Sequence, residues 1–190
     1  DCGEYNNIHP VDKRTPGERL GNCALRQVYG MSRIPVYGPT VLGFRCDEGG
    51  RVRLFFRYAH GLHFSGTTPD SFGDEFAKSL PSLVRLPERS GFELAGADGV
   101  FHPAYAAIFV DCDIDDLVNA KVNVVDYNAT EFGIPINSRS IGTITLATPE
   151  VPAPVMMRYA WRSWGPAPLF NDNNLPAHPF KLDLTDHTDS

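Results

Sequence analysis

The chain has 190 residues, a net charge of -6, and apolar residues at 42% of positions, enough for one sizeable core or for one domain with a fragment of another. The acidic balance excludes a nucleic-acid partner, which needs a dense basic surface to displace counterions. The apolar runs fall far short of the roughly 18 to 20 residues that cross a bilayer, so no membrane partner is expected, and with no basic leader present any secretion signal is read as already removed.

In chain order, Asn7-Ile8-His9-Pro10 comes first: a histidine whose backbone the following proline pushes toward an extended conformation. Thr15-Pro16-Gly17-Glu18 then carries the signals of a helix start, with a Thr to cap, a Pro at the first helical position and a Glu three residues after the cap. Leu20, Ala24, Val28 and Met31, with Cys23 beside them, recur at helical spacing, and Gly30 is the stop, so a helix is predicted over 16–29. A lone amphipathic helix has no core of its own and must bury its apolar face on the rest of the protein or on a segment outside this chain.

After Pro35 the texture changes to short runs rich in β-branched and aromatic residues, separated by Gly, Pro and Asp. Strands are predicted at 40–46, 51–58, 83–86, 92–94, 104–112, 121–125, 141–147 and 155–161, which points to a mainly β fold, an antiparallel two-layer β-sandwich. Asp47-Glu48-Gly49-Gly50 and 93–99 read as hairpin turns, and 66–81 as a long polar loop with a short helix at 74–80. The domain boundary falls near 31–39, dividing 1–35, a loop and a helix, from 36–190, the sandwich.

Several residues invite a chemical reading. His9, presented on a loop ahead of a helix, is placed as a general base toward a nucleophile on another segment; alone, it also fits a turn histidine. No Gly-x-Ser-x-Gly or Gly-Asp-Ser occurs, Ser71 has no strand to brace it, and Cys23 falls on the apolar helix face as a packed thiol. A nucleophile for His9 is therefore expected outside these residues. His60 and His63 are three apart without a third ligand nearby, so no metal is predicted, and no cofactor either. Asp111, Asp113, Asp115 and Asp116 lack the glycine and final acid of a calcium loop and read as an acidic turn. In Tyr159-Ala160-Trp161 strand alternation puts both aromatics on one face, as core, and leaves Trp164 as the exposed aromatic.

Cys2, Cys23, Cys46 and Cys112 are too widely spaced for a CxxC motif, and their even number suits two disulfides in any of three pairings. Asn128-Ala129-Thr130 is a glycosylation sequon. Together these favour a secreted or lysosomal protein.

Two blocks carry a family resemblance. Asp1-x-Gly3, Asn6-x-Ile8-His9-Pro10, Lys13, Gly17-x-Arg19-Leu20, Ala24-Leu25 and Tyr29-Gly30 resemble the end of the catalytic domain in sialate O-acetylesterases of the SGNH hydrolase superfamily. The run from Phe92 to Gly99, then Pro149-Glu150-Val151-Pro152, Arg158-Tyr159-Ala160-Trp161, Leu175-Pro176-Ala177 and Pro179-Phe180 resemble that family's C-terminal β domain, in the same order. Residues 113–140 match poorly and resemble an insertion.

The resemblance implies that 1–35 close an α/β SGNH hydrolase domain and that His9 is the triad histidine. It places the serine nucleophile and the oxyanion donors in an upstream segment or chain, with an O-acetylated sugar as substrate. The chain start then reads as a cut or gap within an enzyme, and the chain alone as inactive. Asn7 departs from the carboxylate that many bacterial relatives hold there; an amide accepts a hydrogen bond from imidazole but does not stabilise imidazolium by charge, so either Asp1, Glu4 or a backbone carbonyl takes the orienting role or activity is reduced. The alternative reading is a non-catalytic β-sandwich that binds glycans or proteins, its esterase ancestry vestigial.

Overall fold

The computed structural model describes residues 9, 11–65, 84–109, 123–124, 141–163 and 165–185. The predicted loop and helix at 66–81, the acidic turn at 111–116, Asn128 and Trp164 lie outside them.

Helix α1 spans Arg14–Gln27. It begins two residues earlier than predicted because Thr15 lies inside it: the Asp12 carboxylate accepts the Thr15 backbone N–H (3.0 Å), and Lys13 is the cap residue. Pro16 is still tolerated, since first-turn N–H groups have no intrahelical partner to lose. The chain turns out of the helix near Gly30, at φ 71°. Two contacts tie described residues of α1 to the sandwich side: Arg19 donates to the Asn174 carbonyl (3.0 Å), and Arg26 lies over the Tyr37 ring while donating to the carbonyls of Ile34 (2.8 Å) and Ser32 in the chain that leaves the helix. The apolar stripe is not buried: α1 has no buried residue, and Leu20 and Val28 are 73% and 75% exposed.

The sandwich has two main layers, both antiparallel. The larger sheet orders β4 (Val84–Arg85), β7 (Tyr105–Phe109), β9 (Gly142–Ala147), β2 (Arg51–Arg57), β1 (Thr40–Asp47) and β8 (Asn123–Val124). The smaller orders β12 (Phe180–Asp183), β10 (Met156–Tyr159), β5 (Phe92–Ala95) and β6 (Phe101–Pro103). Beside them β3 (His63–Phe64) pairs with β11 (Leu169–Phe170), and a four-residue helix, α2 (Pro87–Ser90), leads into β5. β1 carries an irregularity between Val41 and Gly43, and β2 pairs with both β1 and β9, so Leu54 lies between Phe44 and Ile144.

One core joins the layers. Val52, Leu54 and Phe56 alternate along β2 onto the same face and meet Phe92, Leu94, Met157 and Tyr159 from the smaller sheet. Phe180 closes one end, 6.1 Å from Phe56 and 5.6 Å from Tyr159 between ring centroids. Each such side chain contributes about 1.5–3 kcal/mol of transfer free energy when fully buried.

The predicted strand regions all contain a strand, most of them trimmed at one or both ends; the structure adds β3, β6, β11 and β12. β3 and β11 are two residues each, too short to show a period. β6 ends in Pro103, which an edge strand tolerates because its outward N–H has no ladder to serve. Both predicted turns are present. Gly49 and Gly50 have φ 74°, and a side chain at Gly50 would strike the Pro152 carbonyl (2.3 Å).

The two-disulfide expectation is corrected: Cys23 and Cys46 are both free thiols, and Cys2 and Cys112 lie outside the described residues. Arg19 and Arg26 dock α1 near the start of β1 and the 171–175 loop, whereas Cys46 sits six residues further along β1, roughly 20 Å at the strand rise.

Candidate functional site

His9 lies in a bend five residues ahead of α1, with its side chain exposed. Asn7, Asp1 and Glu4, the groups considered for orienting it, lie outside the described residues. The helix that follows His9 is tied through Arg19 to the loop 171–175. That loop holds the better-defined constellation.

Asn171 is 2% exposed, and its amide is fully used. Nδ2 donates to the carbonyls of Tyr37 and Tyr58, both at 3.0 Å, and Oδ1 accepts the N–H groups of Asn173 and Leu175, both at 3.1 Å. One side chain thus joins the approach to β1, the exit from β2 and the loop. Tyr58 sits at φ 54°, a left-handed conformation that ends β2, and its ring stacks on Tyr37 at 4.9 Å.

The residue after this amide, Asp172, faces His60. Its backbone N–H donates to the His60 carbonyl (3.0 Å), and its carboxylate accepts from the imidazole Nδ1–H (2.5 Å). A side chain at Gly61, φ 62°, would meet the Asp172 Cβ at 2.6 Å, so glycine is required for the approach. A carboxylate on Nδ1 leaves Nε2 as the acceptor of the neutral ring, the arrangement a general base needs. The pair opens on a cleft of about 250 Å³ bounded by Arg26, Val36, Tyr37, Tyr58 and Asn173. Among the described residues no serine, threonine or cysteine lines it, so the pair has no such nucleophile at hand.

His63 does not join His60. Its Nδ1–H donates to the Gly61 carbonyl (2.8 Å) and its ring tilts against Phe170. Among the described residues no three His, Cys, Asp or Glu side chains come close enough to hold a metal ion. Sequence spacing sets His60 beside His63, whereas the partner that matters is 112 positions away.

A second cleft, of about 140 Å³, lies between α2, the start of β5 and the exit from β10. Beneath it Glu93, 5% exposed, accepts from Arg158 Nε (2.7 Å) and from Arg162 Nη2. Burial pushes the Glu93 carboxyl up, but the two guanidinium hydrogen bonds and charges outweigh it and leave its pKa below the ordinary value. Arg158 also lies over the Phe101 ring at 4.0 Å. The expectation that Tyr159 and Trp161 share a buried face is corrected. Tyr159 is fully buried and its phenol oxygen accepts the Leu169 N–H (2.9 Å), with burial pushing the phenol pKa up. Ala160 then turns left-handed at φ 49°, the alternation breaks, and Trp161 emerges 52% exposed at the cleft.

The described residues thus define a mainly β, two-layer antiparallel domain with an appended helix and two clefts. Comparison with protein-family models and with curated proteins finds no match. Among solved structures, the chain is similar to a carbohydrate acetylesterase from Xanthomonas citri, with 26% sequence identity and a TM-score of 0.59. The similarity covers 96% of this chain and 31% of that one, so the chain spans about a third of the length of the enzyme it matches. A relationship to carbohydrate esterases is thereby supported.

Proposed function

We propose that the chain is the C-terminal portion of a carbohydrate esterase of the sialate O-acetylesterase type, acting on O-acetylated sugars in a secreted or lysosomal setting. The observation that carries this reading is the similarity of nearly the whole chain to one third of a carbohydrate acetylesterase. In this reading His9 is the base: it takes the proton of a serine carried by an upstream catalytic segment as that serine attacks the acetyl carbonyl, then returns it to the leaving sugar oxygen. The exposed apolar stripe of α1 fits the same reading, because it is a face prepared for packing that is not buried among the described residues.

The test compares acetyl release from an O-acetylated sugar by the isolated chain and by a longer protein that includes the upstream segment. The isolated chain is expected to be inactive and the longer protein active. In the longer protein His9→Ala is expected to lower kcat by about a thousandfold or more. Full activity of the isolated chain, or of His9→Ala, defeats the assignment. The second reading, a non-catalytic glycan- or protein-binding sandwich, draws on the exposed Trp161 beside its cleft. It prevails if the longer protein has no acetyl-releasing activity yet still binds glycans.

A further inference from the structure

The cleft beside Trp161 has the composition of a ring-binding site. One wall is apolar and rigid, built from Pro87, Pro103 and Pro166 with the half-exposed indole of Trp161. Its volume, about 140 Å³, is close to the cavity of roughly 150 Å³ that accommodates a six-membered ring in an engineered protein core. The polar side is Arg162, which spends Nη2 on Glu93 and, among the described residues, keeps its other guanidinium N–H groups for a ligand.

Two devices hold this arrangement in place. The buried Glu93 anchors Arg162 and Arg158 together. The left-handed Ala160, whose N–H donates to the Gly91 carbonyl (2.9 Å), swings Trp161 out of the strand register. A non-glycine residue held in that region is strained, and such strain is common at functional sites.

We propose that this cleft is a subsite for one neutral pyranose ring of a glycan, with the C–H face of the ring on Trp161 and its hydroxyls accepting from Arg162. The choice of a sugar rests on the carbohydrate reading above; the choice of a neutral one rests on charge. Glu88 and Glu93 carry two negative charges against the two positive charges of Arg158 and Arg162, so the cleft has no net attraction for an anion. Recognition falls to stacking and to hydroxyl hydrogen bonds, which act on neutral rings.

The experiment uses the 190-residue chain, labelled with 15N, and follows the indole N–H signals on addition of methyl β-D-xylopyranoside, methyl β-D-glucopyranoside or N-acetylneuraminic acid. A Trp164→Phe variant assigns the Trp161 signal. The expected result is a saturable shift of that signal with at least one neutral pyranoside, with a dissociation constant on the order of millimolar. Binding measured by calorimetry should weaken at least tenfold in Trp161→Ala and less in Trp161→Phe, with backbone signals of the β1–β2 hairpin unmoved. No saturable shift with either neutral pyranoside overturns the proposal, as does equal binding by Trp161→Ala or tighter binding of the acidic sugar. Sugar binding here without acetyl release from the longer protein would uphold the subsite and reject the esterase reading; the reverse result would do the opposite.

Discussion

Asn171 concentrates more of the local structure than any neighbouring side chain, because four hydrogen bonds converge on one buried amide. Asn171→Leu keeps the volume but strips partners from the carbonyls of Tyr37 and Tyr58 and from the Leu175 N–H. Each buried orphan costs about 1–3 kcal/mol, so a loss of about 3 kcal/mol or more is expected as a lower urea midpoint, where a near-parental midpoint would contradict the fully bonded amide. Glu93 makes a different prediction. Its folded-state pKa lies below the unfolded value of about 4.3, so its ion pairs add stability above that pH, and the contribution is lost as pH falls through the folded value. Thermal midpoints of the parent chain should therefore fall more steeply below about pH 4.5 than those of Glu93→Gln. Parallel pH profiles would show that the shift is absent.

At the scale of elements, α1 carries the apolar spacing that made it legible in the sequence, yet it buries none of those residues. Its attachment is polar, through Arg19 and Arg26. Leu20→Lys with Val28→Lys should accordingly change the stability of the isolated chain by no more than about 0.5 kcal/mol, as for ordinary surface substitutions. The same pair should reduce acetyl release by the longer protein if the stripe packs on its upstream segment. A drop of several degrees in the thermal midpoint of the isolated chain would mean that the stripe is already covered.

Across the whole molecule, what the sequence showed and what it hid divide along one physical line. The helix, the long strands and both glycine turns were readable because propensity and period act over neighbouring residues: Val52, Leu54 and Phe56 announce a strand on their own. The clefts depend on groups distant in the chain, His60 with Asp172 and Glu93 with Arg158 and Arg162, and no local pattern encodes those meetings. Tyr58 and Ala160 mark the limit well. Each takes a left-handed backbone with an ordinary side chain, which nothing local announces, and at Ala160 the period-two reading runs on and puts Trp161 on the wrong face.

The position of β2 between β1 and β9 has a consequence for the order of assembly. The β1–β2 hairpin closes across three residues, but Leu54 meets Ile144 only after about 90 further residues have been made. During synthesis β2 can acquire one neighbour early, while its other edge waits with Val52, Leu54 and Phe56 uncovered on the inner face. Long-range pairings of this kind close slowly, because loop entropy is lost before the contacts repay it. For that interval β2, with its apolar inner face uncovered, is open to mispairing with another nascent chain.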